Sequence, residues 1–264
     1  KMHGAHTALL NLAEDMQQEI VRRKETEKEL ESANEAKDSF FSSMSHELRT
    51  PLTTIIGYNE LILEELTLPD KYQNMLENIL LAGKTLLQLV NDILDMSKIR
   101  VGKFELHDKP FDLYKVVNEI SELMQVNALS KGCTLQLEVS EVVQPQLKKQ
   151  WIGDEMRISQ ILFNLLSNAI KFSDGNKVVL RLGISSISSI SVSGFYNFEL
   201  QVQDFGVGIS SEVQARLFTP FEQAASTTSS RFGGTGLGLY IAHQLVEMMG
   251  GNVQVESQER VGST

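Results

Sequence analysis

Residues 45–51 read Ser45-His46-Glu47-Leu48-Arg49-Thr50-Pro51, inside a long helical pattern. Apolar positions fall at Leu9, Ala13, Met16, Ile20, Leu30, Phe41, Met44, Leu48 and Ile55, in steps of mostly three and four. That spacing predicts one helix over about 5–66. The seam is diluted, because Arg23, Glu27, Asn34 and Lys37 stand where a strong zipper places leucine. It reads equally as a seam built to shift register and as a solvated helix face. With Phe41 at a and Met44 at d, His46 falls at f, on the outer face. Thr50 is four residues on along that face and Glu47 flanks it at g. An exposed, neutral imidazole has a free lone pair and acts as a nucleophile. Pro51 removes a backbone donor and leaves the Glu47 carbonyl without its helical partner, so a bend is expected there.

Leu68-Pro69-Asp70 breaks the pattern, and a second helix is predicted over 71–99. Its stripe of Leu76, Ile79, Leu80, Gly83, Leu86, Leu87, Val90, Ile93 and Leu94 is too wide for one partner. Two such hairpins side by side make a four-helix bundle, so a homodimer through the hairpin is expected. The organisation read from this pattern is a leading helix over 1–39, a hairpin over 40–100, a linker over 101–110 and a second domain over 111–264. From Phe111 helix and strand alternate. Helices are expected at 114–131, 154–172 and 237–249, with strands at 133–139, 176–187, 195–203 and 252–257. The Ser185–Ser193 stretch reads as a hairpin connection. This order predicts an α+β sandwich with helices on one face of a mixed sheet. The fold class is therefore multidomain, an all-α hairpin followed by an α+β domain.

Composition is globular, with 42% hydrophobic and 22% charged residues among 264. A net charge of −10 argues against a nucleic-acid partner, which needs a basic face. It leaves room for a nucleotide, which needs only local donors. Cys133, the single cysteine, excludes a disulfide framework and reads as a buried strand thiol. No run approaches the ~18 apolar residues of a membrane span. No signal peptide is visible and the chain opens on Lys1, so a soluble piece of something longer, with no direct membrane insertion, is expected.

Three further segments carry chemistry. Asn164 and Asn168 lie four apart on one helix, with Lys171 three further on the same side. Amide oxygens suit Mg2+ and a lysine beside them suits a phosphate. They read equally as polar residues satisfying one another at a helix boundary. Asp204-Phe205-Gly206-Val207-Gly208 follows a strand, where glycines allow a tight turn and the aspartate can accept from a ring amine. Asp-Phe-Gly also spells a serine/threonine and tyrosine kinase motif, but no His-Arg-Asp loop or Val-Ala-Ile-Lys strand precedes it. Gly233–Leu239 packs four glycines before a helix, exposing backbone donors to an anion. Its spacing matches neither the dinucleotide motif nor the P-loop. Between these lie Phe218-Thr219-Pro220-Phe221 and a stretch over 223–232 that reads as a lid over the ligand or as an ordinary flexible loop. His3, His6, His107 and His243 lack comparable surroundings and read as surface or linker residues.

Together these segments resemble the transmitter core of two-component sensor histidine kinases. Ser45–Pro51 is similar to the phosphoacceptor H box, Asn164–Phe172 to the N box and Asp204–Gly208 to the G1 box. Phe218–Phe221 is similar to the F box and Gly234–Gly238 to the G2 box, all in family order. The stretch before the H box resembles a signalling helix. The resemblance implies a GHKL-type ATP-binding domain, ATP and Mg2+ as ligands, and a cytoplasmic setting even where the parent protein is membrane-anchored. It implies that His46 takes the γ-phosphate of ATP and passes it to an aspartate of a response regulator receiver domain. Glu47 would orient the ring and take up its proton, and Thr50 would position water when the regulator is dephosphorylated. Asn168 would hold Mg2+, with Asn164 and Lys171 at the phosphates and Phe172 closing the N box. Asp204, with Gly206 and Gly208, would read the adenine amine. Gly234, Thr235, Gly236, Leu237 and Gly238 would line the phosphates, and Arg231 would reach them from the lid. The rivals are a silent dimeric scaffold and an ATPase that drives only conformational change.

Two departures stand out. Phe205 occupies a position where the family usually has threonine, so a polar contact near adenine is lost or replaced. The chain stops at Gly262-Ser263-Thr264, where the family continues into a final strand, so an unpaired sheet edge is expected.

Overall fold

The computed structural model describes residues 2–66, 68–139, 150–185, 197–222 and 236–264. Side chains are described over these residues except 2–15, 25, 29–43, 46, 184, 185 and 197. The chain divides into two compact units, Lys1–Gly102 and Lys103–Thr264.

The first unit is a helical hairpin. Helix α1 runs Met2–Glu65 with Pro51 inside it. Helix α2 runs Asp70–Arg100, entered through Pro69, whose extended ψ of 142° stops any continuation from α1. Ser45, Leu52, Ile56 and Asn59 form the buried stripe of α1, and Gly83, Val90, Asp92, Leu94 and Ser97 that of α2. Gly83 marks a close approach of the two helices: a Cβ there would lie 3.1 Å from Ile56 Cγ1, which would have to give way. Asn59 Nδ2 donates to the Leu76 carbonyl at 2.8 Å, and Arg49 Nη2 donates to Asn91 Oδ1 at 2.8 Å. The heptad positions Met44, Leu48 and Ile55 do not face α2. They stand exposed with Tyr58 and Ile62, as do Tyr72, Met75, Ile79 and Leu86 of α2.

The second unit layers three helices on a mixed sheet. Strand β1 is Lys109–Phe111, α3 Leu113–Ser130, β2 Thr134–Val139, β3 Trp151–Gly153 and α4 Glu155–Phe172. Strand β4 is Lys177–Ser185, β5 Asn197–Asp204, α5 Ser211–Gln214, α6 Gly238–Met248, β6 Ser257–Gln258 and β7 Gly262–Ser263. The five-stranded sheet has the order β2-β4-β5-β7-β6, with β2 and β4 parallel and the other pairs antiparallel. Alternation sorts β4: Val178, Leu180 and Leu182 enter a core with Leu113, Val117 and Met124 of α3 and Leu162, Leu166 and Ile170 of α4. On the other face, Arg181 donates to Glu138, Gln201 and Gln203. Cys133 is fully buried immediately before β2, one residue short of the strand expected to hold it.

Two expectations need correction. Residues 103–110 are not a free linker. Phe104 is buried with the Arg157 guanidinium 4.5 Å above its ring, and the His107 N–H donates to Asp154 Oδ2 at 2.9 Å. Asp154 also caps α4, and β1 pairs antiparallel with β3, so one carboxylate ties the entry segment to a helix start. The expected strand over 252–257 shrinks to β6. Glu256 and Thr264 exchange backbone hydrogen bonds at 2.8 and 2.9 Å, closing a hairpin, and residues 252–255 pair with no strand among the described residues. On its other side β5 meets β7 only through the single pair Asp204 and Ser263, so the expected unpaired edge remains along residues 197–203 among the described residues. Sequence reading missed β1, β3 and α5, each too short to show a period. The expected connection over 185–193 lies, beyond Ser185, outside the described residues.

Candidate nucleotide site and phosphoacceptor hairpin

Helix α4 is the spine of the site. Its C-terminal end meets the loop that follows β5. Val207 N–H donates to the Phe172 carbonyl at 3.3 Å, and Asn176 Nδ2 donates to the Phe205 carbonyl at 3.0 Å. A Cβ at Gly206 would run into that same Phe172 carbonyl, so only glycine allows the loop to sit this close. Gly208 has φ +66°, and a Cβ there would strike the Gln258 carbonyl of β6. The loop is held from its far side as well, by Arg260 N–H on the Val207 carbonyl at 2.7 Å and by Ser257 Oγ accepting from Ile209 N–H at 2.8 Å.

Asp204, at the end of β5, is 8% exposed. Its Oδ1 accepts from Gly206 N–H at 2.9 Å. Burial pushes the carboxyl above the ordinary carboxylate range, while Gly206 N–H and the hydroxyl and backbone N–H of Ser263 pull it back. Ser263, which the sequence reading did not single out, is thus a direct neighbour of Asp204. The Gly262-Ser263-Thr264 run was the available signal, but it reads as a truncated strand until β7 is seen beside Asp204.

Two turns earlier on α4, Asn164 is buried and its Nδ2 donates to the Gly238 carbonyl at 3.1 Å. Gly238 opens α6, and a Cβ there would come within 3.2 Å of Asn164 Oδ1. Leu237, fully buried, precedes it, and Gly236 at φ +68° accepts at its carbonyl from Phe221 N–H at 3.1 Å. Phe218 stacks on His243 of α6 at 4.7 Å between ring centroids, which joins the F-box segment to the helix behind the glycines. Asn164 and Phe172 are eight residues apart, about 12 Å along the axis. Asn168 lies between them, half-exposed and without a side-chain hydrogen bond among the described residues. Its free amide oxygen is a hard donor of the kind Mg2+ takes. Lys171 sits 4.7 Å from the Phe172 ring centroid, and burial first, then the Lys131 charge, lowers its pKa.

One wall therefore gathers Asn164, Asn168, Lys171, Phe172, Asp204, Gly206, Gly208, Gly236, Leu237 and Gly238. Arg231, Gly234 and Thr235 lie outside the described residues. So does the His46 side chain, whose backbone is helical within α1. Glu47 and Thr50 are exposed on that helix. Among the described residues no group of three or more His, Cys, Asp or Glu side chains could hold a metal, and no helix is long and apolar enough to cross a membrane.

A family model described as His Kinase A (phospho-acceptor) domain matches residues 36–102. A second, described as Histidine kinase-, DNA gyrase B-, and HSP90-like ATPase, matches residues 153–264. The chain belongs to the two-component sensor histidine kinases. As a histidine kinase transmitter core it is 36% identical over 265 residues to the signal transduction histidine-protein kinase BarA of Escherichia coli K12, covering 99% of this chain and 28% of BarA. It is 34% identical over 258 residues to the autoinducer 2 sensor kinase/phosphatase LuxQ of Vibrio parahaemolyticus, covering 97% of this chain and 28% of LuxQ. The crystal structure of full-length ShkA in complex with AMPPNP matches with a TM-score of 0.64 and 31% identity, over 84% of this chain and 43% of that one. The chain thus spans under a third of the length of these two curated relatives.

Proposed function

We propose that the chain is an ATP-dependent autokinase that phosphorylates His46 and hands the group to a response regulator. The observation that carries this is the single helix α4, which presents Asn164 on Gly238 at one end and Phe172 beneath Gly206 at the other, beside Asp204. That span suits a nucleotide lying with adenine at Asp204 and phosphates toward Asn164.

In this reading the Asp204 carboxylate accepts from the adenine amine, and Ser263 supplies a hydroxyl beside it in place of the threonine that Phe205 replaces. Asn164, Lys171 and the amides around Gly236 and Leu237 hold the phosphates, with Gly234, Thr235 and Arg231 completing that end. Asn168 would hold Mg2+, which supplies charge neutralisation on the phosphate oxygens. An imidazole nitrogen of His46 attacks the γ-phosphorus, the bond to the β-phosphate oxygen breaks, ADP leaves, and Glu47 takes the ring proton. Holding the reactants in line and neutralising charge supply most of such catalysis. A receiver-domain aspartate then attacks the phosphorus and the N–P bond breaks. Thr50 positions water for the reverse duty of dephosphorylating the regulator, consistent with the kinase/phosphatase named among the relatives.

The exposed Met44, Leu48, Ile55 and Ile62 of α1 and Tyr72, Met75, Ile79 and Leu86 of α2 favour a homodimer that closes a four-helix bundle. Residues 1–39 would bring the signal into the hairpin, and the use of ATP favours a cytoplasmic setting, whether or not the parent protein is membrane-anchored. Incubation with γ-labelled ATP tests the reading. An acid-labile, base-stable label absent from His46→Gln is expected; acid-stable label that persists in that variant would overturn it.

A further inference from the structure

The hairpin holds a second group that bears on His46 without touching ATP. We propose that Asn91 is a positioning residue for phosphoryl transfer: through Arg49 it fixes the rotational setting of the helical turn that carries His46. The proposal rests on the reading of His46 as the phosphoacceptor.

Arg49 follows His46 by three residues, so the two are neighbours along the helix surface. It precedes Pro51, which has no N–H to offer the Glu47 carbonyl. Thr54 Oγ1 donates to the Thr50 carbonyl at 3.0 Å, a back-bond of the kind that bends helices. The turn just after His46 thus lacks the one backbone hydrogen bond that Pro51 cannot donate. Ser45, on the buried side, adds no restraint there, since its hydroxyl is buried without a hydrogen-bond partner. Arg49 does restrain it. Its Nη2 crosses the hairpin and donates to Asn91 Oδ1 at 2.8 Å in a partly buried setting.

The nature of the acceptor matters. Asp92 and Asp95 lie on the same stretch of α2, and either would have been an ionic partner for a guanidinium. Asp92 instead turns inward and accepts from Gln88 at 2.7 Å. Arg49 is left with a neutral amide that directs it without cancelling its charge. A directional tether on a loosened turn has the properties needed to aim an exposed imidazole repeatedly at one place.

The test is the initial rate of autophosphorylation of the whole chain at varied ATP. Asn91→Ala is expected to lower kcat about tenfold with KM for ATP unchanged, because the nucleotide residues lie in the other unit. Asn91→Asp keeps an acceptor at the same place and should bring kcat back to within about threefold. Arg49→Ala combined with Asn91→Ala should be no slower than the slower single variant, as expected of two residues in one interaction. Parental kcat in Asn91→Ala, a raised KM, or additive losses in the double variant would each overturn the proposal. Thermal unfolding accompanies every variant. If Asn91→Ala does not fold, Arg49→Gln is put to the same kcat and KM criteria. A His46→Gln control separates the two levels: label that ignores His46 sinks the autokinase reading, while label that needs His46 but ignores Asn91 sinks only the tether.

Discussion

Asn164 and Gly238 are 74 residues apart, yet the amide of one donates to the carbonyl of the other at 3.1 Å. That bond joins the helix carrying the polar wall to the start of the helix behind the glycine segment. It explains why a buried asparagine is tolerated in an apolar helix: its polar atoms have a partner. It also explains why position 238 lacks a side chain.

Gly238→Ala places a methyl 3.2 Å from Asn164 Oδ1, so the amide must move. A weakened hydrogen bond at a partly buried site costs about 1 kcal/mol, and ATP affinity is expected to fall roughly five- to tenfold. Titration with a non-hydrolysable ATP analogue checks this. Unchanged affinity would show that the contact does not shape the phosphate end.

Gly206→Ala is a harsher change, because its Cβ meets the Phe172 backbone carbonyl rather than a movable side chain. The loop after β5 must then leave α4. Loss of about 1–3 kcal/mol or more of stability in the second unit is expected, by analogy with overpacking of a tight contact. Thermal melts of the parent and variant give the answer directly.

Much of this was legible in the sequence. The three-four spacing of α1 and α2 gave the hairpin, and the asparagines and glycines marked the wall before any contact was known. What stayed hidden was non-local. Ser263 matters only because β7 pairs with β5 opposite Asp204, and no local pattern announces a two-residue strand. The packing of Phe104 and the double duty of Asp154 were hidden for the same reason. The described positions of the heptad seam stand exposed, and α1 turns a different stripe, Ser45, Leu52, Ile56 and Asn59, toward α2. Periodicity says that an apolar face exists, not which neighbour covers it.

Ser263→Ala removes a donor that holds the Asp204 pKa down, so that pKa should rise further. More of the carboxyl is then protonated as pH falls, and a protonated oxygen is a poorer acceptor for the adenine amine. The loss of ATP affinity relative to the parent should therefore grow as pH is lowered. A loss that does not change with pH would mean that the hydroxyl acts otherwise.

Asp92 gives a pH signature in the hairpin. Burial first, with Asp95 adding repulsion and Gln88 opposing, raises its pKa from 3.8 to about 6. A raised carboxyl pKa means that its contribution to stability is fully present below the unfolded value and is lost as pH rises through about 6. Asp92→Asn should thus stabilise the hairpin at pH 7.5, by about 1–3 kcal/mol at most, and give little gain at pH 3.5. Melting temperatures at the two pH values decide it.

The central claim is that the γ-phosphate of ATP arrives on the imidazole of His46. Tryptic cleavage after Lys37 and Arg49 releases the peptide 38–49, which holds Ser39, Ser42, Ser43, Ser45 and His46 together. Fragmentation mass spectrometry of that peptide, prepared at neutral pH after reaction with ATP, places the phosphate on one residue. Phosphate on His46 is the predicted result; phosphate on one of the serines, or on another peptide with 38–49 unmodified, would contradict it.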